Sequence, residues 1–419
     1  MAYEKVVIIG GGFGGLNAAK GLKHFKGEVV LIDRMNYHLF QPLLYQVATC
    51  ALSPGNIAYP IREILRNQTH TEVVMGNVAT IDLEGSKIIL DDGTAFCYSY
   101  AIIAPGARHS YFGHPEWESR APGLKDLSDA LSIRDQILLT YEKAERMDSI
   151  IEAKKYMRFV IVGGGPTGVE MAGAIAEIAK KTLLKNFRKI KPEQTEIYLI
   201  EGLSQILPSY PPELAIKAKD DLEKMGVKVL LNEKVEEIED FGVKTNLRFI
   251  ETPNVIWAAG NEASPILKTM NVPLDRQGRV IVEPDLSVPG HPNVFVIGDS
   301  AHLEINGKVL PGIAPVAIQE AKYVVKKILK KTNKPFKYFD KGNLATIGRA
   351  KAVGEFRNIK LSGFTAWWIW SVVHVFYLIS FSSRILVMIQ WIFLYLSSKR
   401  QVRIISKSAS KEHSPSCHK

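Results

Sequence analysis

One pattern limits the fold more than any other, and it occurs twice in the 419 residues. A short apolar run is followed by a glycine loop, a helix-forming stretch and a second apolar run that ends on a carboxylate. The first copy is KVVII over 5–9, then Gly10, Gly12 and Gly15, a helical stretch over 16–22, EVVLI over 28–32, and Asp33. The second is RFVIV over 158–162, then Gly163, Gly165 and Gly168, a helical stretch over 169–180, EIYLI over 196–200, and Glu201. Apolar runs this short and this unbroken read as buried parallel strands. Each copy is therefore a βαβ unit, and a chain of this length divides into two or three domains.

The spacing in both loops is G-x-G-x-x-G. The first glycine permits the tight turn, the second lets a pyrophosphate approach the backbone, and the third lets the helix pack on the strand. The helix N-terminus presents free N–H groups to the phosphates. Asp33 and Glu201 stand where an acid accepts hydrogen bonds from a ribose diol. An acid repels a 2′-phosphate, so Glu201 predicts a preference for NADH over NADPH. Two nucleotide units call for two nucleotides, one resident and one exchanging.

Further strands are expected over 100–104, closing at Gly106, over 255–259 before Gly260, and over 293–297 leading into Gly298-Asp299. Residues 73–90 alternate like small antiparallel strands, and 124–147 reads as a helix crossing between domains. The three cysteines, Cys50, Cys97 and Cys417, are isolated from one another. No CxxC pair or thiolate metal knot is expected, no metal site, and a reducing compartment. The N-terminus enters a strand within ten residues, which predicts no secretory or transit segment.

Charge is uneven. From residue 322 onward there are 19 Lys and Arg against 3 Asp and Glu, while the rest holds 34 against 40. Inside that basic end, 361–398 holds one charged residue, Arg384, and four of the six tryptophans: Trp367, Trp368, Trp370 and Trp391. The uncharged run 361–383 is long enough to span a bilayer. Ser371, His374, a Ser-Phe-Ser-Ser break and the clustered tryptophans favour two amphipathic helices instead, over 364–379 and 384–396, lying in one leaflet. Lys399, Arg400 and Arg403 would meet anionic headgroups. The aromatic content makes nucleic acid a poor partner for this end. The tail from 406 is polar and expected to be disordered.

The segments NYHLFQPLLYQVATCALSP, GARHSYFGHPEWE, GGGPTGVEMAGAIAE and ATIGRAKAV, with the end from GFTAWWIWSVVHVFYL to Arg400, resemble type II NADH dehydrogenase. That family comprises single-chain NADH:quinone oxidoreductases among the two-dinucleotide-binding flavoprotein reductases. The likeness covers nearly the whole chain apart from the tail. It implies an α/β fold of two Rossmann-like dinucleotide-binding domains plus a C-terminal amphipathic helical membrane anchor. The expected divisions are 1–120 and 268–345 for FAD, 121–267 for NADH, 346–400 for the membrane and 401–419 for the tail.

By that resemblance, non-covalent FAD is held by Gly10, Gly12, Phe13, Gly14, Gly15, Asp33, Arg34, Gln46, Ala104, Gly106, Asp299 and Ala317. NADH is held by Gly163, Gly165, Pro166, Thr167, Gly168, Glu170, Glu201 and Gly260. Glu170, taken to sit on the first turn of its helix, is implied to handle electrons or protons beside the flavin. A helix N-terminus favours its ionised form, and burial opposes that. The family's Ala-Gln-x-Ala-x-Gln quinone motif reads here as Ala314-Pro315-Val316-Ala317-Ile318-Gln319. Pro315 replaces the first glutamine, Gln319 is left as a catalytic donor to a quinone carbonyl, and Lys351 is expected to line the same tunnel.

The expected function is electron transfer from NADH through FAD to ubiquinone or menaquinone. The expected place is the cytoplasmic face of the cell membrane, as a peripheral homodimer. No chain of intramembrane carboxylates appears, so proton pumping is not expected. The rival readings are a sulfide:quinone or disulfide reductase, which needs paired cysteines, and a non-enzymatic membrane-bound NADH-binding protein.

Overall fold

The computed structural model describes residues 4–357, 359–397, 399–400 and 402–405. Most of the expected tail, with Cys417, lies outside the described residues. The chain divides into two compact units.

The first unit comprises Met1–Phe40, Ala58–Ser110 and Gly260–Lys341. Its six-stranded sheet runs in the order Ser287–Val288, His291–Val296, Tyr100–Ile103, Lys5–Ile9, Glu28–Asp33, Thr71–Met75. All neighbours are parallel except the first pair. Val6, Val7 and Ile8 are fully buried because helices and loops cover the sheet, which is why the strand carries no polar residue after Lys5. The Phe13–Gly21 helix packs against the Ala314–Ile328 helix. Gly21 brings the two close: a Cβ there would stand 3.0 Å from a methyl of Val325.

The antiparallel expectation for 73–90 is corrected at its start. Thr71–Met75 is the parallel edge strand beside Glu28–Asp33, and the antiparallel meander begins at Val78–Asp82. An edge strand is covered unevenly, so it alternates as a solvent-facing hairpin strand does.

The second unit comprises Gln41–Ile57, Tyr111–Ala259 and Gly342–Lys419. Its parallel sheet runs Val227–Leu231, Glu196–Glu201, Arg158–Val162, Asn254–Trp257. The Leu127–Arg146 helix opens on a capping box between Asp126 and Asp129. Tyr111, Trp117 and Trp257 stack in one buried cluster. The Pro166–Glu177 helix meets the Asn343–Gly348 strand so closely that a Cβ on Gly173 would lie 1.7 Å from the Ile347 carbonyl oxygen.

Two helices follow, Gly363–Tyr377 and Phe381–Ser397. Arg384 ties the break between them, donating from Nε to the Leu378 carbonyl at 2.8 Å. Their outer faces leave Phe376 68%, Phe381 74% and Leu396 77% exposed. Among the described residues no helix is long and apolar enough to cross a membrane.

Candidate dinucleotide and acceptor sites

In the first unit, steric necessity accounts for two loop glycines and not for the third. A Cβ on Gly10 would lie 2.1 Å from the Ala104 carbonyl oxygen, and one on Gly15 would lie 1.8 Å from that of Gly10. A Cβ on Gly12 would meet nothing within 4 Å. The open space at Gly12 lies at the start of the Phe13–Gly21 helix, whose N-terminus can accept an anionic group. Asp33 accepts from the Gly11 amide at 2.5 Å and from the Met35 amide at 2.6 Å. Burial raises its pKa, and those two amides with nearby Arg34 pull it back.

His38 escaped the sequence reading. Its Nδ1 donates to the Gly11 carbonyl at 2.9 Å, and Phe13 meets its ring edge-on at 5.2 Å. Burial lowers its pKa to about 4, so the ring is neutral. The only sequence signal was a histidine within the stretch NYHLF.

Ala104 lies just past the Tyr100–Ile103 strand, and Gly106 accepts from the Ser300 hydroxyl at 3.2 Å. Gly298 has φ +70°, and a Cβ there would lie 3.2 Å from that of Ala317. The Asp299 carboxylate lies against Gly312. Glu320, also missed from the sequence, is 1% exposed and accepts from the Gly298 amide at 2.6 Å. Burial raises its carboxyl to about 8, with Asp299 adding and the Gly298 amide opposing.

The second unit repeats the geometry. A Cβ on Gly163 would lie 2.7 Å from the Ala258 backbone, one on Gly168 would lie 1.8 Å from the Gly163 carbonyl oxygen, and one on Gly165 would meet nothing within 4 Å. Glu201 accepts from the Gly164 amide at 2.7 Å and from the Leu203 amide at 2.9 Å. Pro166 and Thr167 form the first turn of the Pro166–Glu177 helix. Because that helix starts at Pro166, Glu170 falls in its second turn rather than its first. The stabilisation offered by the helix terminus has faded there.

Gln46, expected to serve FAD, belongs to the second unit, and Gly260, expected to serve NADH, to the first. A cavity in the second unit is lined by Tyr45, Gln46, Glu170, Thr346, Arg349, Trp367, Trp370, Trp391 and Tyr395, among others. Burial pushes the Glu170 carboxyl well above the usual carboxylate range, against a hydrogen bond from the Thr346 backbone. Gln46 donates to the Tyr45 hydroxyl at 2.8 Å and accepts from the Trp391 indole at 2.7 Å.

Arg400, expected at anionic headgroups, is instead buried and lines the same cavity. Its guanidinium donates to the Thr49 carbonyl and, at 3.0 Å, to the Glu177 carboxylate. The other Glu177 oxygen accepts from the Arg349 amide at 2.6 Å. His374 stacks on Trp370 at 4.2 Å, and burial lowers its pKa to about 4.

Two expectations are corrected. Gln319 donates to the carbonyls of Pro315 and Phe339 at 3.1 and 3.0 Å and accepts from the Phe339 amide at 3.0 Å. Both amide hydrogens are engaged, so this conformation offers no donor to a quinone carbonyl. Pro315 stands at the first turn of the Ala314–Ile328 helix, where a missing N–H costs nothing. Lys351 does not line the cavity; its ammonium lies 3.6 Å from the Asp221 carboxylate, and Arg349 takes the lining position.

Among the described residues no group of His, Cys, Asp and Glu could hold a metal ion. Burial pushes the Cys50 thiol up to about 11, a poor nucleophile at neutral pH.

Residues 4–321 match the family described as pyridine nucleotide-disulphide oxidoreductase, and residues 341–400 match the NDH2 C-terminal domain. The chain is 43% identical to the type II NADH:quinone oxidoreductase Ndh of Mycobacterium tuberculosis, over 97% of this chain and 91% of that protein. It is 43% identical to NdhA of the same organism, over 96% and 90%. Among solved structures, NDH2 from Plasmodium falciparum in complex with NADH is similar in fold, with a TM-score of 0.86 at 24% identity. That likeness covers 96% of this chain and 100% of the other.

Proposed function

The chain belongs to the pyridine nucleotide-disulphide oxidoreductase family and, within it, to the type II NADH:quinone oxidoreductases, and on that premise we propose that it carries electrons from NADH through bound FAD to a quinone at a membrane surface. The observation that carries the reading is the pair of matched cradles. Each has one glycine open to a diphosphate and one carboxylate held by two backbone amides.

In this assignment the loop around Gly12, with Asp33, Ala104, Gly106, Asp299 and Ala317, holds FAD. The loop around Gly165, with Glu201, holds NADH, and the carboxylate disfavours a 2′-phosphate. FAD, when bound, supplies the two-electron chemistry that no side chain has. Burial penalises the Glu170 anion and so favours the protonated carboxyl. The indole and phenol walls of the cavity exclude water and suit a flat quinone ring, ubiquinone or menaquinone.

The outer faces of the two C-terminal helices would rest in the headgroup layer of an anionic membrane, from the cytoplasmic side. Exposed Phe376, Phe381 and Leu396 support that placement. FAD binding by 1–120 and 268–345, NADH binding by 121–267, membrane contact by 346–400 and a homodimer complete the proposal; the last rests on family likeness alone.

Absorbance spectroscopy tests the whole reading. The purified protein should be yellow, bleach when NADH is added without oxygen, and recolour on addition of a ubiquinone or menaquinone analogue. A colourless protein, or a flavin that NADH leaves oxidised, overturns it.

A further inference from the structure

The second unit displays a concentrated positive segment that neither nucleotide cradle uses. Residues 180–191 contain Lys180, Lys181, Lys185, Arg188, Lys189 and Lys191, and no acidic residue. The run begins in the π-helical turn Ile178–Thr182 that follows the Pro166–Glu177 helix. Lys181, Lys185, Arg188, Lys189 and Lys191 are exposed, and so is Leu184 among them.

A charge run is usually a solvated face, and its backbone then needs no special fixing. Here the backbone is fixed. The Glu145 carboxylate accepts from the amides of Arg188 at 2.8 Å, of Lys189 at 3.0 Å and of Ile190 at 3.0 Å. Leu183 and Ile190 are buried, and the Phe187 ring lies 6.1 Å from that of Tyr141. The Glu145 carboxylate is thus turned to the amides of the run. Asp148 stands 3.7 Å from Lys189, an exposed pair that holds little.

One end of the run reaches the apolar helices. Lys181 and Thr182 line the same cavity as Trp367, Trp370 and Tyr395 of the apolar C-terminal helices. Cations beside an exposed aromatic and aliphatic face lie at headgroup depth when that face enters a bilayer. We propose that residues 180–191 form a rim that binds anionic phospholipid headgroups beside the apolar helices. The proposal rests on the membrane-surface reading above and adds to it a headgroup-binding segment outside the C-terminal helices.

Sedimentation of the flavin-loaded full chain with vesicles tests it. One set is phosphatidylcholine alone; the other contains phosphatidylglycerol as well. The wild-type chain should bind the anionic set more tightly, and added salt should erase the difference. The Lys185→Gln, Lys189→Gln, Lys191→Gln triple variant should lose about 100-fold of its partition into the anionic set, at roughly fivefold per charge. Its binding to the neutral set and its turnover of a soluble quinone analogue should not change. A triple variant that keeps the wild-type preference for anionic vesicles overturns the proposal and leaves the membrane reading standing. A wild-type chain that binds neither set overturns both. As a contrast, Phe376→Ser with Leu396→Ser should weaken both sets alike.

Discussion

Glu320 keeps a carboxyl group out of water at the cost of its acidity. Its folded pKa of about 8 stands above the ordinary 4.5. The folded state therefore holds the proton more tightly than the unfolded one. Stability from this group is complete below pH 4.5 and falls as pH rises towards 8, by at most about 1.4 kcal/mol per pH unit. Glu170 contributes with the same sign, so the difference against a variant isolates Glu320. Glu320→Gln keeps an acceptor for the Gly298 amide and removes the titration. Thermal melts across that window should show the wild-type Tm falling relative to Glu320→Gln as pH rises. Parallel profiles would show that the carboxyl is already ionised when buried.

Asp33 and Glu201 were legible because strand, loop and acid follow at fixed spacing. His38, Glu320 and Arg400 were not. Their partners lie 27, 22 and 223 positions away, and no local pattern marks such a pair.

Two side chains tie the end of the Phe381–Ser397 helix to the rest of its unit by contacts of different kinds. Trp391 donates to Gln46, and Arg400, just beyond the helix, bridges Thr49 and Glu177. Arg400→Met leaves the Glu177 carboxylate without its ion-pair partner, a loss of about 3–5 kcal/mol in a buried pair. Trp391→Phe removes one neutral hydrogen bond, about 1 kcal/mol. Amide hydrogen exchange in Phe381–Ser397 should quicken slightly in Trp391→Phe and strongly in Arg400→Met. Equal protection in all three chains would mean that apolar packing alone holds the helix. The helix pair itself was visible from composition and from the serine break. The Thr71–Met75 strand was misread because its edge position imitates a hairpin strand. The start at Pro166 was set too late because the glycines hid the first turn.

Across the whole molecule, the duplicated βαβ pattern was the easiest feature to read, because buried parallel strands leave unbroken apolar runs. The cavity was the hardest. It gathers Tyr45, Glu170, Thr346 and Trp391 from four distant stretches of one unit. The two cradles also make a paired prediction. Neither Gly12→Ala nor Gly165→Ala meets a protein atom within 4 Å, so both variants should fold. Gly12→Ala should purify with less flavin and still bind NADH in equilibrium dialysis. Gly165→Ala should keep its flavin and bind NADH at least about tenfold more weakly, a change of 1.4 kcal/mol. If either substitution abolished both ligands, the cradles would not be separate sites.

The likeness of those cradles has a consequence for how the chain sorts its ligands. FAD and NADH share an adenosine diphosphate half, and on the proposed assignment both loops take that half with the same parts: one open glycine, one doubly held acid. Neither loop can distinguish flavin from nicotinamide. Sorting falls to the surfaces beyond the second phosphate, and free ADP, which carries the common half and nothing else, is a competitor that both cradles are shaped to admit.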